Sequence, residues 1–299
     1  MIKKQYIQTN GIKLHVVEDG PSKGEPIIFL HGFPEFWYGW KKQISYFANH
    51  GFRAIVPDQR GYNLSDKPKS IQDYSVQNLI QDIAGLMDAK GYERINLVGH
   101  DWGGAVAWYF AMKWPERLKR LVILNVPHPK VMLDALGRNW RQTLRSWYMF
   151  FFQLPYFSEF IVKRNNFQLL RKILKTTSLK GTFSEEDIQQ YTQAWSQPNS
   201  LKSMINWYRA SFRDSLNRFK RNSKENFQIN TPTLLIWGEK DQFLGSELAK
   251  PSISYCHEGK VEFIKESSHW VQHEFPDRIN KLIKDFISKN PKLPRSSIL

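Results

Sequence analysis

Three side chains suited to covalent catalysis stand at comparable places along the 299-residue chain. Asp101 lies inside Gly99-His100-Asp101-Trp102-Gly103-Gly104, Asp241 closes Trp237-Gly238-Glu239-Lys240-Asp241, and His269 follows Ser267-Ser268. A carboxylate is a poor agent for acyl transfer from esters, but it can displace a leaving group at a saturated carbon and remain as an alkyl ester. A histidine that titrates near neutrality can then activate water against that ester, while a second carboxylate orients the imidazole. Taken singly, Asp241 reads as a turn former and His269 as a capping or core histidine. Their position raises them above that reading, because each of the three stands just past the end of an apolar run with strand character.

Those runs must supply the scaffold. Lys3–Gln8 and Lys13–Glu18 flank Asn10-Gly11, a strong hairpin signal. After a loop at 20–24, Glu25–Leu30, Phe52–Val56, Arg94–Val98 and Leu121–Asn125 read as strands. Between them Phe36–Asn49, Ser75–Lys90 and the stretch from Ala105 onward read as helices. Alternating helices and nearly continuous apolar strands predict a mostly parallel sheet covered on both faces. From Pro129 the β-branched runs cease until Thr233. Helices are expected instead over Asp134–Phe152, Phe157–Thr176, Glu185–Ser196 and Leu201–Arg213, with Ser184 as an N-cap before Glu185-Glu186-Asp187. Thr233–Trp237 and Val261–Ile264 resume the strands and Phe275–Ser288 closes the chain as a helix. The pattern predicts a core formed by 1–128 and 229–299, with an aromatic-rich helical cap at 129–228. Inter-domain clefts are favoured places for an apolar pocket.

Composition narrows the function. At 41% hydrophobic and 14% aromatic the chain is neither disordered nor fibrous. It has no 18-residue apolar run, so no membrane span is expected, and MIKKQYIQTNG lacks the apolar core of a signal peptide. The single cysteine, Cys256, fits a reducing compartment, and a cytoplasmic enzyme is expected. The net charge of +15 is spread through the chain. Modest clusters fall at Lys163-Arg164, at Arg171-Lys172, at Arg218, Lys220, Arg221 and Lys224, and in KNPKLPRSSIL. No nucleic-acid motif accompanies them, so a generally basic surface is expected rather than a nucleic-acid partner. His15, His50, His128, His257 and His273 show no metal-ligand spacing. Monomer and homodimer are both open.

The residues around Asp101 also require an oxyanion site, made of backbone N–H groups that need no reorganisation as charge develops. The residue after the nucleophile supplies one, Trp102. The turn after the first parallel strand, His31-Gly32-Phe33-Pro34, supplies the other from Phe33. Phe33-Pro34 is a candidate cis bond. Phe33, Trp37 and Trp102 are expected along the substrate pocket. His31, Asp58 and Arg60 are expected to brace the loops near the oxyanion turn, while His100 and Trp108 pack in the core. Two substrate classes suit displacement by a carboxylate, epoxides and alkyl halides. An opening epoxide makes an alkoxide and needs acidic O–H donors, whereas a departing halide needs N–H or ring-edge donors and no proton.

The segments HGFPEFWYGW (31–40), PDQRGYNLSDKP (57–68), GHDWGGAVAW (99–108), NVPHP (125–129), FFQLP (151–155), NWYRA (206–210), WGEKD (237–241) and SHWVQHE (268–274) closely resemble the epoxide hydrolases of the α/β-hydrolase superfamily. The order nucleophile, acid, histidine is that superfamily's order. The resemblance implies an α/β-hydrolase fold with a mostly parallel eight-stranded sheet and an inserted all-helical cap. It implies Asp101 as nucleophile, His269 as base, Asp241 as its charge partner, and two cap tyrosines, Tyr148 and Tyr208, that donate to the epoxide oxygen. The substrate is then a small-molecule epoxide, the other reactant is water, and no cofactor is needed. Haloacetate and haloalkane dehalogenases share the fold and the aspartate. Against them, the helix WGGAVAWYFAMK after Asp101 has no arginine to grip a carboxylate. The cap position that carries a halide-binding histidine in the haloacetate enzymes is Tyr148. The haloalkane enzymes place an asparagine where this chain has Phe33. A noncatalytic binding protein on the same fold is the remaining alternative.

Overall fold

The computed structural model describes residues 2–221 and 227–288, with no side chains described over 216–221. Lys224 and residues 289–299 lie outside the described residues, as do the side chains of Arg218, Lys220 and Arg221. The strands are β1 (Lys3–Thr9), β2 (Ile12–Asp19), β3 (Glu25–Leu30), β4 (Phe52–Pro57), β5 (Ile95–His100), β6 (Leu118–Leu124), β7 (Thr233–Gly238) and β8 (Gly259–Ile264). They form one eight-stranded sheet in the order β1-β2-β4-β3-β5-β6-β7-β8, antiparallel at β1–β2 and β2–β4 and parallel from β4 onward. Asn10 and Gly11 both take positive φ, 42° and 76°, in the two-residue turn that joins β1 to β2. That turn shape matches the twist of paired strands.

Helices cover both faces, because alternate residues of the central strands point opposite ways. Ile27, Phe29, Val98 and Val122 pack with Ile44 and Phe47 of α1 (Lys41–Asn49). Ile28, Leu30, Leu97 and Ile123 pack on the other side with Ile83 of α2 (Val76–Ala89) and Trp108 of α3 (Trp102–Lys113). All these residues are buried.

Between β6 and β7 the named elements are helical: α4 (Pro129–Arg138), α5 (Trp140–Arg145), α6 (Trp147–Phe151), α7 (Phe157–Thr177), α8 (Glu185–Trp195) and α9 (Ser200–Arg221). Two expectations are corrected here. The single helix expected over Asp134–Phe152 is three short ones. The His128 ring accepts from Lys130 N–H and Pro129 takes the first helical position, which starts α4 early; Asn139 then caps α5 through Arg141 and Gln142 N–H at 3.1 and 3.2 Å. The helix expected over Phe157–Thr176 is broken at Arg164, and Asn165, Asn166 and Phe167 take left-handed φ of 49°, 53° and 58°. Asparagine tolerates that region better than most residues, and here two stand in a row. The chain closes with α10 (Ala249–Ile253), α11 (Val271–Glu274) and α12 (Pro276–Ile287). Ile279 and Ile283 of α12 fill the face shared with α1.

Candidate active site

Asp101 sits between the end of β5 and the start of α3 with φ 51° and ψ −121°. That conformation costs a non-glycine residue on the order of 1–3 kcal/mol and is held by the packing around it. A Cβ at Gly103 would lie 2.2 Å from the Leu30 carbonyl oxygen, and one at Gly32 would lie 2.4 Å from Asp101 Cβ. Only glycines let the β3 turn and the α3 start approach this closely. The Asp101 carboxylate is thereby brought beside the β3 turn, where Phe33 N–H donates to Asp101 Oδ1 at 2.8 Å. Trp102 is the first residue of α3, where helix geometry leaves the N–H without an intrahelical partner. The Phe33–Pro34 bond is cis.

His269 and Asp241 come from loops after β8 and β7 and meet behind Asp101. His269 Nδ1 donates to Asp241 Oδ2 at 2.7 Å, and its Nε2 lies 3.7 Å from Asp101 Oδ2. Asp241 is satisfied on every side: Asn125 Nδ2 donates to Oδ2 at 2.8 Å, and Phe243 and Leu244 N–H donate to Oδ1 at 2.8 and 3.0 Å. Burial pushes the Asp241 carboxyl up, but the His269 charge and these donors outweigh it and hold it below the usual range. Burial likewise pulls His269 down, and the carboxylates of Asp241 and then Asp101 overcome it, so its pKa is pushed up to about 9. His269 at rest is an imidazolium held between two carboxylates.

Tyr148 on α6 and Tyr208 on α9 line the same cavity as Asp101, a space of about 130 Å³. Their rings stand edge to face with centroids 5.9 Å apart. Burial and the Asp101 charge push both phenols far above their ordinary pKa, so both protons are retained at any working pH. Arg209 explains how residues 60 positions apart converge. Its Nε donates to the Phe152 carbonyl at 2.9 Å, and its Nη2 to that of Leu154 at 3.2 Å. The two Nη atoms grip the Glu159 carboxylate at 2.6 and 3.0 Å. The guanidinium fork thus ties the α6–α7 connection to α9.

The remaining expected residues divide. Trp102 lines the cavity, and its ring lies edge-on to Tyr208 at 5.0 Å. Phe33 packs edge-on to Tyr208 and Phe152, beside the two tyrosines rather than among the cavity's lining residues. Trp37, expected in the pocket, lies outside that lining: its N–H donates to Asp58 Oδ1 at 2.9 Å and its ring sits under Lys4 Nζ. His31 accepts from Gln59 N–H at 3.0 Å, and burial lowers its pKa, so it is a neutral brace for the turn. Asp58 ties together Trp37 N–H, His15 Nδ1 and Asn63 Nδ2. Arg60 differs from expectation, because its side chain turns away from the oxyanion turn. It pairs with buried Asp82 of α2 at 2.6 and 2.7 Å and reaches the Asn10 carbonyl. Only its backbone carbonyl faces the helical segment, accepting from Trp207 Nε1 at 2.9 Å.

Three residues that the sequence did not single out complete the site. Asn125 holds Asp241, Phe243 lies edge-on to the His269 ring at 5.2 Å, and buried Gln142 on α5 brackets the acid loop. Gln142 donates to the Phe243 carbonyl at 2.8 Å and accepts from Gly245 N–H at 3.0 Å. Glu35 is likewise buried, receiving hydrogen bonds from the Tyr191 hydroxyl, Gln272 and His273 at 2.7, 3.0 and 2.6 Å.

Comparison with known proteins agrees with this geometry. The model of the alpha/beta hydrolase fold matches residues 25–276, so the chain belongs to the α/β-hydrolase family. It is 43% identical over 286 residues to the AB hydrolase superfamily protein YfhM of Bacillus subtilis (strain 168), covering 96% of this chain and 98% of that one. Human epoxide hydrolase 4 is 37% identical over 293 residues, covering 96% of this chain and 78% of its own. The crystal structure of the Bacillus megaterium epoxide hydrolase in complex with an inhibitor superposes with a TM-score of 0.85 at 34% identity, covering 95% of this chain and 100% of that one. Within the α/β-hydrolases the chain is an epoxide hydrolase.

Proposed function

We propose that the protein opens epoxides to vicinal diols in two steps through an ester on Asp101. Asp101 Oδ1 is already held by Phe33 N–H, so Oδ2 attacks an epoxide carbon from the face opposite its C–O bond. The C–O bond breaks, and the oxygen that leaves with its electron pair takes a proton from Tyr148 or Tyr208. Part of what holds these phenols protonated is the Asp101 charge, and alkylation consumes that charge as the alkoxide forms, so each phenol becomes the better acid in the step that needs its proton. Alkylation also removes the Asp101 charge, which lowers the affinity of His269 for its proton; the imidazolium gives that proton up and the tyrosinate regains one. Neutral His269 Nε2 then deprotonates water, the hydroxide adds to Asp101 Cγ, and the charge gathers on Oδ1 beside the N–H groups of Phe33 and Trp102. Collapse breaks the Cγ–Oδ2 bond, the departing diol oxygen takes the proton of the added hydroxyl, and the carboxylate is restored.

The observation that carries this reading is the placing of two protonated tyrosines and a carboxylate around one cavity, with an Asp241–His269 pair behind the carboxylate. A departing halide needs no proton, so a pair of O–H donors favours the epoxide. The cavity's lining includes Met132, Leu136, Met149 and Leu244 and, among the described residues, no arginine or lysine, which favours an apolar substrate over a carboxylate-bearing one.

The test is intact mass of His269→Gln after mixing with styrene oxide, run beside wild-type assays on styrene oxide, a fatty epoxide, fluoroacetate, a haloalkane and an aryl ester. The variant is expected to gain the mass of the epoxide on the peptide containing Asp101, and the wild type to make diol alone. A variant that stays unlabelled, or a wild type that releases halide and no diol, rejects the proposal.

A further inference from the structure

The outer surface of α5–α7 is unlike the rest of the molecule. Trp140 is 68% exposed, Trp147 58%, Phe160 65% and Tyr156 82%, with Leu144, Phe150, Leu154 and Phe157 also exposed among them. Contiguous exposed apolar surface of this kind marks an interaction site. The patch is continuous across elements: the rings of Trp147 and Phe151 lie 5.8 Å apart, and those of Phe151 and Phe157 6.2 Å apart.

Charge selects the partner. Over 139–164 the charged residues are Arg141, Arg145, Glu159, Lys163 and Arg164. The one acid, Glu159, is gripped by Arg209, whereas Arg141, Lys163 and Arg164 are exposed and Arg145 is only loosely approached by Glu247 at 3.8 Å. The face is therefore cationic and aromatic at once. Two copies of it would meet with like charges, so a symmetric dimer through this face is disfavoured. Amphipathic aromatic rings set among arginines and lysines are the composition of a surface that settles into the headgroup layer of an anionic membrane.

The middle one of these helices also walls the cavity. On α6, Tyr148 and Met149 line it while Trp147 and Phe150 face outward, and Leu133 of α4 both lines it and is exposed. We propose that the outer face of α5–α7 docks the protein on the surface of an anionic phospholipid bilayer, with the cavity mouth turned toward the lipid. Transfer of an epoxide from bilayer to cavity rests on the function proposed above; docking itself does not.

The experiment is flotation of the full chain with vesicles of phosphatidylcholine alone and of phosphatidylcholine with phosphatidylglycerol. Trp140→Ser/Phe157→Ser/Phe160→Ser and Arg141→Gln/Lys163→Gln are run beside the wild type. Wild type is expected to float only with the anionic vesicles, and less in molar salt, where the screening length falls to about 3 Å. Each cation near the surface is worth roughly fivefold in partition, so the charge variant should lose about 25-fold, and the aromatic variant should stay in the aqueous phase. Both variants should turn over water-dissolved styrene oxide as the wild type does. Absence of wild-type flotation with anionic vesicles overturns the proposal, as does equal flotation of wild type and aromatic variant. So does light scattering that finds a wild-type dimer made monomeric by the aromatic changes, because the face would then serve self-association. Flotation without diol formation would leave docking intact and reject the function.

Discussion

Replacing Asp241 with asparagine changes one atom of the site and inverts the hydrogen bonding of its base. The backbone N–H groups of Phe243 and Leu244 both point at Oδ1, so the amide oxygen must take that place and the NH2 must take the place of Oδ2. There it faces two donors, His269 Nδ1 at 2.7 Å and Asn125 Nδ2 at 2.8 Å. The imidazole relieves the clash by giving up its Nδ1 proton and keeping one on Nε2, the nitrogen facing Asp101. A base protonated at its working atom cannot take a proton from water. The same exchange in a serine-protease triad costs about 10⁴-fold in kcat, and a loss of about 10³–10⁴-fold, or roughly 4–5.5 kcal/mol, is expected here. The loss should fall on hydrolysis of the ester alone. Alkylation needs the Asp101 carboxylate and the tyrosines, so in rapid-quench mixing the variant should label at nearly the wild-type rate and stay labelled. A second readout is the His269 titration by NMR. The interval from 6.5 to about 9 corresponds to about 3 kcal/mol in favour of the imidazolium. A raised pKa stabilises the fold fully below pH 6.5, and that contribution is lost as pH rises through about 9. Wild-type stability should therefore decline across that window, and that of Asp241→Asn should decline less, because only the smaller contributions of Asp101 and Glu35 remain. A variant that hydrolyses its ester within tenfold of wild type, or whose His269 still titrates near 9, would refute this account of Asp241.

Tyr148→Phe and Tyr208→Phe should each slow ester formation by about 10–10³-fold while leaving ester hydrolysis unchanged, measured in single-turnover mixing; an unaltered first step removes that tyrosine from the mechanism. Arg209→Lys keeps the charge but cannot serve the Phe152 and Leu154 carbonyls and the Glu159 carboxylate together. It should slow ester formation about as much as loss of one tyrosine, and a variant with wild-type kinetics would show that the fork does not position them. Arg60→Ala strands the buried Asp82 carboxylate and should cost about 3–5 kcal/mol in denaturant unfolding with little change in kcat. A large kinetic defect with unchanged stability would place Arg60 back at the site.

The sequence makes the sheet and the three central residues legible because both are local signals. β3 to β6 are continuous apolar runs, and Asp101 and His269 differ sharply from the residues around them. The helical segment is less legible because its breaks depend on partners. His128 caps α4 with a ring nitrogen, a residue type not among the usual caps, and the bend at Asn165 and Asn166 shows no proline or glycine. Gln142 and Asn125 escape a sequence reading for the same reason. Each is an ordinary polar residue whose partner lies more than 100 positions away, Phe243 for Gln142 and Asp241 for Asn125. Trp37 misleads in the other direction, being an aromatic next to the oxyanion turn whose backbone, not its ring, serves the loop through Asp58.

An Asp–His–Asp constellation at the strand ends is indifferent to whether halide or alkoxide departs, since both leave the same ester behind. The discrimination lies in what meets the leaving atom, and here that comes from helices outside the sheet. The two parts are not independently placed. Gln142 on α5 fixes the loop that carries Asp241, and the Trp195 and Trp207 indoles donate to the Pro34 carbonyl in the turn after β3 and the Arg60 carbonyl in the loop after β4. The segment that carries Tyr148 and Tyr208 therefore also braces the loop of Asp241 and the turn beside Asp101. Displacing α5 or α9 should consequently perturb both half-reactions, whereas loss of a phenol alone should perturb only the first. That difference is what separates a positioning role for the helical segment from a purely chemical one.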